Sequence, residues 1–328
     1  MNNSNTTALE ATIKKNKIDR QLIGLVIFVA AIMVIMSILS PSFLTASNLT
    51  NVLRQSVFIM LLGFGMTFVL TTGGIDLSVG VVMALSGGMT GWLLSFNVNI
   101  VPALIAGFAM GTLVGAGNGL MVTKLRITPF IATLATMSIG RGVMYVWTNS
   151  IPFRNYMVGG FRFLGQGNVL GLQFPIIVAI IAFIVLQFVF RKTRFGRHVT
   201  AFGSNNESAK ISGINTDRLQ IKVYALSGFM AALSGIILAS RLETVHPEMG
   251  KGYELDAIAA AIIGGTSLTG GKGSLIGTAL GAFIIYLISN AINLLNVDPD
   301  WETIVKGILI LVVVGVEFLS HSANKRKL

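Results

Sequence analysis

Stretch after stretch of this chain is too apolar to face water and long enough to cross a lipid bilayer. Leu22–Leu39 contains no charged residue. Apolar segments follow at Val52–Thr72, Val79–Phe96, Ile100–Thr123, Thr128–Trp147, Phe174–Phe190, Val223–Ser240, Ala257–Leu268, Ser274–Leu295 and Ile304–Leu319. A helix rises about 1.5 Å per residue and a bilayer core is about 30 Å thick, so about 20 apolar residues make a span. Ten such segments predict an all-α, polytopic transmembrane bundle of about ten spans. The eighth is short, and its ends run into the neighbouring loops. The first is too long for a signal-peptide core and has no small-x-small cleavage site behind it, so it reads as an uncleaved span.

Composition excludes the main alternatives. Charged residues make up 11% of the chain, against about 25% in soluble domains, which excludes a water-soluble enzyme. The absence of cysteine excludes disulfides, thiolate metal sites and cysteine nucleophiles. The three histidines, His198, His246 and His321, are too scattered for a metal motif, and neither metal nor cofactor is expected.

The net charge of +11 reflects topology rather than nucleic-acid binding, because cytoplasmic loops of membrane proteins are enriched in Lys and Arg. With the N-terminus in the cytoplasm, 17 of the 24 Lys and Arg residues fall on the inner side. Arg154, Arg162, Arg241 and Lys251 fall outside. Both termini then face the cytoplasm. An odd span count would put the basic 191–222 loop and the basic tail on opposite sides. The organisation read from this is a cytoplasmic tail at 1–20, a single membrane domain at 21–320 carrying the cytoplasmic loop 191–222, and a basic tail at 321–328.

Glycine marks the packing faces. Gly107, Gly111, Gly115 and Gly119 recur every four residues along the fourth span, and Gly277 and Gly281 do so on the ninth. A face without Cβ atoms lets another helix approach closely, within one subunit or at a subunit interface. Two turns also echo each other, TGGIDLSVG at 72–80 and TGGKGSLIG at 269–277, by internal duplication or by chance.

Polar residues inside spans are few. Asp76 follows the Gly73–Gly74 break, so Asp76 or Ser78 caps the third span or takes part in the pathway. Arg141 lies mid-span and takes an internal partner or lines the path. Asn118, Gln187, Ser227, Ser234, Ser289, Asn290 and Asn293 are neutral. They suit a polyhydroxy solute and serve equally as interhelical hydrogen-bonding groups.

No histidine lies within a span, and no carboxylate lies deep in one, which counts against ion coupling. The stretch at 265–273 departs from GxxxxGK[ST]: Thr266 stands six before Lys272 and Gly273 follows it. The chain is therefore no ATPase, and any nucleotide engine is a separate protein. The 191–222 loop holds a short helix with Asn206 as N-cap, Glu207 in its first turn, Ala209 inside it and Gly213 at the left-handed C′ position. A helix of this length fits a groove on a partner.

ESAKISG at 207–213 resembles the EAAxxxG coupling loop of ABC importer permeases, with Ser208 in place of the first Ala. GGIDLSVG at 73–80, ITPFIATLATM at 127–137, TRFGRHVTAFGSN at 193–205, GYELDAIAAAIIGGTSLTGGKGS at 252–274 and VKGILIL at 305–311 are similar to the monosaccharide branch, closest to ribose-type permeases. The resemblance implies a type II-like permease of about ten spans that acts as two chains, expected to be a homodimer. It further implies a cytoplasmic ATPase with two nucleotide-binding domains and a periplasmic or extracellular sugar-binding protein. Other members of the branch carry other sugars or autoinducer-2. An ion-coupled secondary sugar transporter is the alternative from a different class.

Overall fold

A computed structural model of the chain describes residues 20–154, 158–298 and 300–325. Most of the tail at 1–20, and residues 326–328 of the tail at 321–328, lie outside them. In chain order the helices are α1 (Arg20–Leu39), α2 (Ala46–Thr71), α3 (Val79–Ser95), α4 (Ile100–Thr123), α5 (Pro129–Thr148) and α6 (Gly159–Gln166). A two-stranded antiparallel hairpin, β1 (Asn168–Val169) and β2 (Leu172–Gln173), precedes α7 (Phe174–Lys192). Then come α8 (Arg194–Ser204), α9 (Asn206–Ile211), α10 (Thr216–Leu242), α11 (Tyr253–Ile263), α12 (Leu275–Leu294) and α13 (Asp300–Lys325).

The two longest buried helices, α2 and α10, form an antiparallel central pair. The Ser234 hydroxyl donates to the Phe58 carbonyl at 3.2 Å, and a Cβ on Gly65 would lie 2.9 Å from the Ser227 Cα. α4 packs against the other side of α10 through its glycines. A Cβ on Gly111 would meet the Gly228 carbonyl at 2.6 Å, and one on Gly119 would meet the Ile221 Cα at 2.6 Å. Gly115 faces the Tyr224 carbonyl and Gly107 lies against Thr90. This face therefore packs within the chain against α10 and α3. Gly277 and Gly281 of α12 approach the backbone of Gly264 and Ala260 in the same way. Around this centre α1, α5 and α7 expose apolar rows, such as Ile27, Val34 and Ile38 on α1, as helices facing lipid do.

Seven helices among the described residues are long and apolar enough to cross a membrane: α1, α2, α4, α5, α7, α10 and α12. α3 is apolar but has 17 residues. The segment read from sequence as an eighth span, Ala257–Leu268, is helical only as far as Ile263. α11 has 11 residues, about 16 Å, half a bilayer core.

The two short helices have a common origin in the fold. α2 ends at Thr71, and residues 72–78 run back in non-helical form to the middle of the bundle, where α3 begins beside the centre of α10. α10 ends at Leu242 at the opposite end, and residues 243–252 return to the same depth, where α11 begins. The two breaks meet: a Cβ on Gly80 would strike the Gly250 carbonyl, and one on Gly250 would strike the Gly80 carbonyl. Gly250 and Gly252 hold φ of +74° and +88°, a region open to glycine without penalty. GIDLS at 74–78 and GYELD at 252–256 head the two short helices with the same pattern: glycine, a carboxylate two residues on, leucine, then a hydrogen-bonding residue. Because α2 and α10 run in opposite directions, the two halves form an inverted repeat, the arrangement that places helix N-termini at mid-depth in transporters. The TGG echo is a different relation. Those turns sit side by side at one end, where the Gly271 N–H donates to the Thr71 carbonyl at 2.8 Å.

That end also carries α8 and α9 and is called here the basic end. The Thr193 hydroxyl caps α8 and the Asn205 side chain caps α9.

Candidate functional site

Three arrangements use the polar residues that the spans contain. The first is a closed node. Asp76 is 1% exposed. Its Oδ1 accepts from the Ser78 N–H at 3.0 Å and the Ser78 hydroxyl at 2.6 Å, and its Oδ2 accepts from the Ser227 hydroxyl at 2.8 Å. Ser78 occupies the N-cap position of α3 without a side-chain capping bond, so Asp76 supplies the acceptor there. Ser78 Oγ accepts from Asn118 Nδ2 at 2.8 Å, and Asn118 Oδ1 accepts from the Thr136 hydroxyl at 2.5 Å. The node thus ties the 72–78 break to α4, α5 and α10.

The second arrangement is open. Arg141 projects from α5, and its Nη1 donates to the carbonyls of Pro247 and, at 3.0 Å, Met249. It holds the returning 243–252 segment against α5. Beside it lies a cavity of about 500 Å³ lined by Met137, Ser138, Tyr145, Glu248, Lys251 and Glu254, among others. The Tyr145 hydroxyl donates to Glu248 Oε1 at 2.9 Å, and Lys251 pairs with the same oxygen at 2.8 Å. Glu254, in the first turn of α11, accepts from the Gly252 N–H at 3.2 Å through Oε1, while its Oε2 is buried with no hydrogen-bond partner.

The three acidic groups heading the two short helices therefore differ. Asp76 is saturated by hydroxyls and an N–H. Asp256 pairs with Lys306 at 2.9 Å, and Lys306 also binds Glu302 at 3.0 Å. Glu254 lines the cavity, with one oxygen bonded to the Gly252 N–H and the other buried against Gly80 without a hydrogen-bond partner. A charge facing lipid at mid-bilayer costs about 2.5–3.5 kcal/mol on insertion scales. A face bearing Arg141, Glu248, Lys251 and Glu254 is thus suited to an aqueous path or a protein neighbour, and not to acyl chains.

The third arrangement is the arm at the basic end. Asn205 occupies the N-cap position expected for Asn206, which is the first helical residue. The Asn205 side chain reaches the Ser208 N–H at 2.9 Å, and the displacement by one residue follows from that bond. Ala209 is buried under the arm, and Gly213 has φ of +81°. Glu207 is exposed and pairs with Lys210 at 3.5 Å. Ile211, not singled out from sequence, stands 88% exposed at the end of α9.

Asn290 and Asn293 join none of these groups. Asn290 exchanges amide hydrogen bonds with Asn48 at 2.8 and 3.1 Å, and Asn293 donates to the Ser289 carbonyl of its own helix at 2.8 Å. Both lie toward the end of α12 remote from α9. Glu254 and Tyr145 were missed because each looks like an ordinary helix residue; the repeat of Asp76 at Glu254 was the available signal.

A bundle whose two broken helices start at mid-depth beside a polar cavity has the architecture of a membrane transport protein. The chain belongs to the family described as branched-chain amino acid transport system / permease component, whose pattern matches residues 48–314. It is 45% identical over 287 residues to the ribose import permease of Bacillus subtilis, covering 86% of this chain and 88% of that one. It is 41% identical over 302 residues to the ribose import permease of Escherichia coli, covering 91% and 93%. The D-allose transport system permease of Escherichia coli is 37% identical over 298 residues, covering 90% and 91%. No solved structure matches the chain. The protein is a multi-pass permease of the inner membrane.

Proposed function

We propose that the chain is the membrane-spanning subunit of an ATP-driven importer for a monosaccharide, ribose in the first place. The observation that carries this is identity of 40–45% to ribose import permeases over most of the chain. The family description mentions amino acids, and the choice of a sugar rests on these identities. The cavity lining has a phenol and a serine hydroxyl beside Arg141, Glu248, Lys251 and Glu254, groups able to hydrogen-bond a polyhydroxy solute.

The basic end faces the cytoplasm, in keeping with the Lys and Arg asymmetry. There α9 presents Glu207 and Ile211 to a separate ATPase bearing two nucleotide-binding domains. A second permease chain covers the charged α5 face, so that the path runs between the two copies. A binding protein delivers sugar at the opposite end.

The deciding experiment is uptake of labelled ribose into proteoliposomes. Uptake should require the ATPase, the binding protein and ATP, and should survive a protonophore. Uptake by the permease alone that collapses with the protonophore would establish an ion-coupled carrier instead. Glu207→Ala and Gly213→Val should lower uptake about tenfold while ATP hydrolysis continues. The second change places a β-branched residue in the left-handed region at a cost of about 1–2 kcal/mol. Normal uptake in both variants would remove α9 from the coupling path.

A third variant tests the cavity. Glu254→Leu deletes the carboxylate in the cavity wall, and uptake should fall about tenfold, the equivalent of one charge-assisted hydrogen bond of about 1.5 kcal/mol. The amount of permease in the membrane should not change. Wild-type uptake by Glu254→Leu would show that the sugar does not use this carboxylate.

A further inference from the structure

A second cavity of about 500 Å³ lies at the basic end, between the end of α7, the start of α8 and the turn joining α11 to α12. It is lined by Arg191, Arg197, Lys272, Phe190, Gly271 and Gly273, among others. No acidic residue lines it. Among the described residues, none of the three cations takes part in an ion pair. Arg197 donates only to the Lys192 carbonyl, at 3.2 Å. We infer that this cavity holds the phosphate of an anionic phospholipid headgroup.

The backbone keeps the three charges together. Gly196 lies directly against Phe190, where any Cβ would strike the Phe190 carbonyl, so α8 is clamped to the end of α7. The turn bearing Lys272 is pinned by the Gly271 N–H to the Thr71 carbonyl at 2.8 Å and by the Ser267 N–H to the Lys272 carbonyl at 3.0 Å. Three like charges are therefore converged on one cavity with no internal counter-charge, at a cost in repulsion that a bound anion relieves.

The surroundings select a lipid over a soluble anion. Ile180, Ile184 and Phe188 are exposed along one face of α7, and Arg191 continues that face one turn further, at the point where the helix leaves the apolar layer. Ile276, 41% exposed, lies in the first turn of α12, four residues after Lys272. Headgroup contacts and acyl-chain contacts thus adjoin, the amphipathic pattern of basic pockets between membrane helices. The cavity touches the first two turns of α8, whereas α9 begins at the far end of that helix. Gly271 of the cavity wall packs against Ser204, next to the start of α9, so the lipid site adjoins the proposed ATPase contact and the test must separate the two.

The test uses the full chain in detergent, with thermal unfolding and native mass spectrometry as readouts. Phosphatidylglycerol should raise the unfolding temperature and remain bound in the gas phase. Phosphatidylcholine and inorganic phosphate should do neither. Arg191→Gln, Arg197→Gln and Lys272→Gln replace exposed side chains, so the fold should persist. Each should lower phosphatidylglycerol retention about fivefold, and Arg191→Lys should restore it. An equal effect of inorganic phosphate would overturn the lipid assignment in favour of a free-anion site. Unchanged lipid retention in the triple Gln variant, with weakened binding of the ATPase, would overturn it in favour of a docking surface for that subunit. Neither outcome bears on whether ribose is the cargo.

Discussion

Gly115→Leu should prevent the permease from accumulating as a folded protein, while Gly117→Leu on the same helix should leave it intact. A Cβ at Gly115 would lie 3.0 Å from the Tyr224 carbonyl carbon and 3.1 Å from the Gly228 Cα, and closer still to the Tyr224 carbonyl oxygen. These are backbone atoms of α10, the helix on which α2, α3 and α4 all pack, so relief requires moving the centre of the bundle. Overpacking costs about 1–3 kcal/mol where side chains can yield, and more where backbone is met; here we expect about 4 kcal/mol or more. Gly117 has nothing within 4 Å of the corresponding position. Size-exclusion profiles and thermal unfolding in detergent separate the two variants. Equal unfolding temperatures would mean that α4 and α10 are not in this register.

The second large effect is expected at Asp76. Asp76→Leu strands the Ser78 N–H and the hydroxyls of Ser78 and Ser227 in a dry interior. At about 1–3 kcal/mol for each of the three donors left without an acceptor, the total is about 3–9 kcal/mol. Asp76→Asn keeps one acceptor oxygen but turns the other into a donor facing the Ser227 hydroxyl, which can itself accept; its cost should be about 1–2 kcal/mol. The order wild type, Asn, Leu in unfolding temperature is therefore the signature of a structural node. If the Asn variant instead folded normally and lost uptake completely, the charge itself would be taking part in transport.

The contrast with Glu254 gives this a functional meaning. The inverted repeat places a carboxylate two residues after a glycine at each break, yet the two have diverged. Asp76 meets Ser78 and Ser227 and is saturated, so it holds one half of the bundle in place. Glu254 borders the cavity with Arg141, Tyr145 and Lys251, and its unpaired oxygen is buried against Gly80. One carboxylate is locked into the scaffold, and the other borders the charged cavity.

Much of this is legible in the sequence. Span-length apolar runs identify a membrane bundle, the glycines at 107, 111, 115 and 119 mark a close-packed face, and the Lys and Arg asymmetry marks one end as basic. These are local properties: period, composition and charge density are carried by residues near one another in the chain. Motifs at 207–213 and 252–274 resemble a family to which the chain indeed belongs.

The tertiary structure alone decided where the spans break and which polar groups meet. Arg141 reaches carbonyls more than a hundred residues away, and Asp76 is satisfied from α10 through Ser227. Ala257–Leu268 reads as a span by hydropathy because its residues are apolar. It can be half a helix only because α2, α3 and α12 cover its ends. Non-helical backbone at membrane depth is stable where protein rather than lipid surrounds it, and that condition depends on the packing of distant segments. Hydropathy records what a residue avoids, whereas the partner that lets a chain break in mid-membrane is set by the fold.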